Sequence, residues 1–236
     1  MRADAPTGPR TDRRAFLGWG GASLAGLVAV GCGEGDVALQ GVEGRERVVT
    51  LDFGRDGDVA LVNYSLLLQE LEGAFYEAVL ADPPQGFTAE DLRVFRQIAA
   101  HERAHRGFLR AKLGGRAVGP IATDFRSVDF DSRPDVLLTA QRMETLGVEA
   151  LNGAAQYVSL NGPLDLEPLL AAGEIVSVEA RHAATVADLR SPGRATEEFS
   201  PRAFDAAKPP DEALNEASAF LRTLVRLVDL PAPEET

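Results

Sequence analysis

The chain has 236 residues, with 36 Asp and Glu against 24 Lys and Arg, a net charge of −12, three histidines and a single cysteine. That acidity argues against nucleic acid or anionic lipid as a partner, and one cysteine excludes a disulfide framework. The fold must hold by its core alone, and a chain of this length is long enough to bury one.

The N-terminus reads as an export signal rather than as part of the fold. Arg2, Arg10, Arg13 and Arg14 precede an uncharged run over 15–31, which is short and Gly-rich for a membrane span. Arg13 and Arg14, followed by Ala15, Phe16 and Leu17, resemble a twin-arginine signal, whose pathway carries proteins already folded. The run ends Ala29-Val30-Gly31-Cys32. This resembles a lipoprotein box, with Ala29 where leucine is more frequent, and makes Cys32 the expected lipid-bearing residue and membrane attachment. Without 1–31 the mature chain carries a net charge near −14 on the same count. Residues 32–47 are Gly- and charge-rich and read as a tether.

The expected bundle spans 48–228, beginning with a short apolar stretch over 48–53, either a strand or an extended arm. Over 58–80 the residues Leu61, Val62, Leu68, Leu71, Phe75 and Val79 recur at three- and four-residue spacing, the amphipathic helix pattern. Asp82-Pro83-Pro84 ends it. Thr88, with Asp91 three residues on, predicts a capping box that starts a second helix running to Gly114-Gly115. The stretch 116–133 has no helical period. Helices of about 25 residues are roughly 37 Å long, and eighteen extended residues reach about 60 Å, so this link can cross a bundle end to end. A third helix is predicted over 134–160, with Pro134 in its first turn, and a fourth over 166–189 after Asn161-Gly162-Pro163. A shorter amphipathic helix over 211–228 is expected to pack outside, with 229–236 as a tail.

Two of the three histidines stand in Glu-x-x-His pairs, Glu102 with His105 on helix two and Glu179 with His182 on helix four. Residues three apart on a helix share a face, so each pair presents a carboxylate and an imidazole together. Carboxylates can bridge two divalent ions, while imidazoles cap each ion and leave positions open.

The segments "LDFGRDGDVALVNYSLLLQELEGAFY" (51–76), "IAAHERAHRGFL" (98–109), "ETLGVEALNGAA" (144–155), "IVSVEARHAATVADL" (175–189) and "FDAAKPPDEALNEASAFL" (204–221) resemble, in order, the ferritin-like domain of exported bacterial proteins, the desiccation-related group included. The resemblance implies an all-α, ferritin-like four-helix bundle with a long crossover between helices two and three and a short C-terminal helix. It implies a di-metal site, two iron ions or manganese, held by Glu102, His105, Glu144, Glu179 and His182. On helix one the family's usual Glu, seven before Tyr76, is Gln69 here. Glu72, one turn along, could replace it, and Glu70 is expected in solvent. The tyrosine usual seven after Glu144 is Leu151, and Glu149 is a second candidate on that helix.

The resemblance implies oxidation of Fe(II) or removal of peroxide in envelope stress protection, with no catalytic residue assigned and a homo-oligomer left open. The alternative is a non-catalytic, structural or stress-related lipoprotein with a degenerate site. A minor rival is spelled by His101-Glu102-Arg103-Ala104-His105, the His-Glu-x-x-His of zinc peptidases. Arg103 stands where those enzymes are apolar, and that reading ignores Glu179 and His182; in the bundle, His101 is expected off the metal face, in solvent.

Overall fold

The computed structural model describes residues 47–158, 167–193 and 203–231. In chain order these form β1 (Val48–Asp52), α1 (Phe53–Asp56), α2 (Asp58–Ala81), α3 (Ala89–Leu113), α4 (Arg133–Ala154), α5 (Glu167–Arg190), α6 (Pro210–Ala217) and β2 (Leu224–Val228). The four long helices are the expected bundle. The leader and the tether up to residue 46, with Arg13, Arg14 and Cys32, lie outside the described residues.

Helix α2 is the axis. Leu61, Leu66, Leu67, Leu68, Leu71, Phe75, Tyr76 and Val79 are all buried, and a helix apolar around its circumference needs cover on every side. It packs on α3 and α4, while the crossover and the C-terminal segment close the remaining face. Phe125 of the crossover meets Phe75 edge-on at 5.8 Å and Phe220 at 6.2 Å, and Asp124 N donates to Phe220 O at 2.8 Å. Each fully buried side chain of this size contributes about 1.5–3 kcal/mol. Three apolar clusters result. One, with Leu66, Leu109, Leu151 and Ile175, lies at one end of the bundle. Another, with Tyr76, Phe95, Ile98, Ala140, Met143 and Val186, lies beyond the bundle's middle.

The third helix is shorter than expected. It ends at Ala154 and tightens into a 3-10 turn at Ala155–Tyr157. The C-terminal expectation needs a larger correction, because only Pro210–Ala217 is α-helical and Leu224–Val228 forms a strand parallel to β1, with Val48 opposite Leu224 and Asp52 opposite Val228. A short apolar run fits either period. Here Thr223, Val225 and Val228 favour extended backbone, and β1 supplies an edge whose ladder groups need partners.

The expected capping box forms: Thr88 N donates to Asp91 Oδ2 at 2.7 Å and Asp91 N to Thr88 Oγ1 at 3.1 Å. Asp91 also accepts two hydrogen bonds from Arg133, both 2.8 Å, and Arg133 reaches Leu189 O at 3.1 Å. One carboxylate thus ties the starts of α3 and α4 to the end of α5. Burial works to raise the Asp91 pKa, but Arg133 and Thr88 prevail and hold it below its usual value. A carboxylate lowered in the folded state stabilises above its unfolded pKa, near 3.9, and that contribution is lost as pH falls through the folded value. Asp91→Asn is therefore expected to cost about 2–3 kcal/mol at pH 7, below the roughly 3–5 of a fully buried pair because Arg133 is partly exposed. It should also remove part of the stability loss below about pH 4, read by thermal unfolding across pH.

Candidate metal centre

Mid-bundle, four helices turn acids inward. Gln69 and Glu72 come from α2, Glu102 and His105 from α3, Glu144 from α4, and Glu179 and His182 from α5. Glu102, Glu144 and Glu179 have no exposed surface, and Gln69, Glu72 and His182 are nearly as deep. The apolar turns on either side, Leu109, Leu151 and Ile175 above and Ile98, Ala140 and Val186 below, keep water out. A buried carboxylate costs several kcal/mol unless a positive group compensates it.

The geometry divides the cluster into two positions. At the first, His182 Nδ1 lies 3.2 Å from Glu102 Oε1, 3.2 Å from Glu144 Oε2 and 3.5 Å from Glu179 Oε2. None of these four atoms makes a hydrogen bond of acceptable geometry. The four residues offer ligand atoms all within 4.8 Å of one another, a span that a small contraction would bring around one ion with bonds of about 2 Å. Orphaned buried polar atoms are rare in proteins, and three carboxylates with one imidazole could hold a divalent metal ion.

At the second position, His105 Nδ1 is 3.1 Å from Glu179 Oε1 and 3.4 Å from Glu102 Oε2, but Gln69 intervenes. Its Nε2 donates to Glu72 Oε2 at 2.7 Å and to Glu179 Oε1 at 3.0 Å, and its Oε1 lies 2.6 Å from His105 Nδ1. Turning the amide over would aim its oxygen at two carboxylates, so this orientation is favoured. An amide oxygen only accepts. His105 Nδ1 therefore carries a proton while this contact stands, and its lone pair is not offered to an ion. Glu72, the expected substitute, stands one step behind Gln69 and outside the four-residue group.

The electrostatics follow from crowding negative charge. Burial, then the charges of Glu179, Glu102 and Glu144, raises Glu72 well above the usual carboxylate range. Glu144 is raised too, by burial and then by Glu179 and Glu102 against the pull of His182. Glu179 is the exception: burial opposes its ionisation, yet contacts with His105 and His182 hold its pKa far down. Burial would lower both imidazoles, but the carboxylates around them raise His105 to about 9 and His182 to about 12. The cluster thus recruits protons where cations could stand.

Sequence reasoning missed three contributors. Tyr76 donates to Glu144 Oε1 at 2.5 Å, which fixes that carboxylate with Oε2 towards His182; burial and then the Glu144 charge push the Tyr76 pKa well up. Gly147, on the same face as Glu144 by its i,i+3 spacing, leaves room for Glu72: a Cβ there would lie 2.5 Å from Glu72 Oε1. His101, expected in solvent, instead brings its Nδ1 within 2.8 Å of His182 Nε2, and burial with the two neighbouring imidazoles lowers its pKa. Only the glycine's spacing from Glu144 could have signalled its role.

Two other expectations change. Glu149 is not at the centre but pairs with Lys208 at 2.9 Å. Glu70 is not free in solvent but bridges Arg110 at 2.7 Å and Arg106 at 3.4 Å. Leu151, where the family's tyrosine was expected, belongs to the apolar cluster above the site.

The sequence profile of the family described as ferritin-like domain matches residues 57–192, more than half the chain and all four long helices. The chain belongs to the ferritin-like domain family. A comparison with curated proteins returns no match. Within this family frame the peptidase motif loses its basis, since the metal-capable group of the ferritin-like domain among the described residues joins Glu102 to His182 and leaves His101 outside.

Gly147→Ala should displace Glu72 and, through Gln69, disturb the second position, at a cost of about 1–3 kcal/mol for overpacking. Gly73→Ala, which meets only the end of the Arg106 guanidinium, should cost less. Chemical unfolding of both variants checks the order.

Proposed function

We propose that this protein holds divalent iron, or secondarily manganese, at two unequal positions, and that it oxidises Fe(II) or removes peroxide to protect the cell envelope. The observation that carries the reading is the convergence of four orphaned buried atoms, from Glu102, Glu144, Glu179 and His182, at one point. Glu102 and Glu179 each present a second oxygen towards His105, so with His105 they would help hold a second ion. A bound metal would supply Lewis-acid and one-electron redox chemistry. The chain's own residues supply the rest: Tyr76 orients Glu144, Gly147 admits Glu72, and the flanking apolar turns exclude water.

The second position distinguishes this chain within its family's pattern. Gln69 keeps the shape of a glutamate without its charge, and its hydrogen bonds to His105, Glu72 and Glu179 compete with an ion. The same observation favours a second reading, a non-catalytic stress-related bundle with a degenerate site. Anaerobic titration with Fe(II) or Mn(II) separates them. The expected result is one tight ion per chain in the wild type, two in Gln69→Glu, and loss of the tight ion in Glu144→Gln by more than about 100-fold, beyond the effect of an outer partner. No metal in either wild type or Gln69→Glu would establish the non-catalytic reading.

Export and anchoring belong to the same proposal, supported by Arg13-Arg14, the apolar run after them and Cys32 at its end. Cys32→Ser should move the mature protein from the membrane fraction to the soluble fraction. Wild type that is already soluble with its thiol unmodified would remove the lipid anchor.

A further inference from the structure

His101 stands one residue before Glu102, about 100° from it around α3 but only about 40° from His105, and so lies at the edge of the face that carries those two residues. It turns towards α5. Its Nδ1 lies 2.8 Å from His182 Nε2, the ring planes differ by 14°, and the centroids are 5.1 Å apart. That centroid distance is the nitrogen–nitrogen separation plus about 1 Å of ring on each side, so the two imidazoles lie edge to edge in nearly one plane, the in-line geometry of a good hydrogen bond. Stacked faces would bring the centroids closer without bringing the nitrogens into line.

The direction of that bond follows from the other side of His182. Its Nδ1 faces Glu102, Glu144 and Glu179 at 3.2–3.5 Å, so Nδ1 is the atom offered to an ion and must present its lone pair there. A neutral imidazole carries one N–H. The proton of His182 then sits on Nε2 and is donated to His101 Nδ1, which obliges His101 to carry its own proton on Nε2. From the geometry we infer that His101 is the positioning residue of this centre: it selects the tautomer of His182 and fixes the ring so that Nδ1 faces the carboxylates. This rests on the metal-binding reading above. Metal-bound histidines usually give their second N–H to a carboxylate or backbone carbonyl; here a third imidazole takes that place. His101 and His182 both line a cleft of about 270 Å3 between α3 and α5, together with Arg93, Gln97 and Arg181.

The test uses the full chain loaded with Co(II). His101→Ala should weaken binding at the His182 position about 10- to 100-fold, the range for loss of an outer partner. His101→Gln, which restores an acceptor of similar reach, should recover most of it, while His101→Phe, which fills the space without accepting, should not. Gln97→Ala, in the same cleft, should leave affinity unchanged. The decisive readout is the hyperfine-shifted, exchangeable Nε2–H resonance of His182, expected sharp in wild type and His101→Gln and lost to solvent exchange in His101→Ala. A merely structural role for His101 would not move it selectively. Unchanged affinity with the resonance intact in His101→Ala overturns this inference alone. No Co(II) uptake by the wild type overturns it together with the reading beneath it.

Discussion

Three buried carboxylates sharing one imidazole, Glu102, Glu144 and Glu179 around His182, form the constraint on which the rest of the molecule depends. Taking them out of water is costly, and two histidines cannot neutralise three or four acids. Protons answer part of that cost, which is why Glu72 and Glu144 bind them more tightly than usual and His182 holds its own up to about 12. A divalent cation answers it better. The orphaned oxygens that a proton network leaves unsatisfied are the atoms that an ion would take.

The bundle exists in the form this cluster needs. Each acid lies near the middle of its helix, where backbone is rigid and flanking turns are apolar, and the crossover pinned by Phe125 and the β1–β2 pair holds α4 against α2 from outside. Asp91 with Arg133 fastens one end. Around the cluster the chain departs from simple packing: a glycine at 147 in mid-helix leaves room for Glu72, a buried tyrosine hydroxyl rests on Glu144, and an amide stands at Gln69. The last makes the two halves unequal. One half is a set of unsatisfied acceptors, and the other is a closed hydrogen-bonded triangle of His105, Gln69 and Glu179, with Glu72 behind.

Much of this was legible in the sequence because it follows from helix geometry. Glu102 with His105 and Glu179 with His182 announce themselves by i,i+3 spacing, Thr88 and Asp91 by their capping pattern, and the crossover by its length and lack of period. What stayed hidden depends on partners far away in the chain. The strand at 224–228 reads as helix until the edge of β1 is known. His101 reads as solvated because its own helix sets it at the edge of the metal face; α5 comes to meet it. Glu149, five residues after Glu144, lies about 140° around α4 from it, where it meets Lys208 instead of the cluster. Gln69 was recognisable as a departure from the family's pattern, but that it would bind three groups at once was not.

The most direct test of this account is a crystal structure of the protein loaded anaerobically with Fe(II), with anomalous scattering recorded at the iron edge. A strong peak is expected among Glu102, Glu144, Glu179 and His182, and a weaker one, or none, between Gln69 and His105. Equal peaks, a stronger peak beside Gln69, or no iron at the His182 position after loading would contradict it.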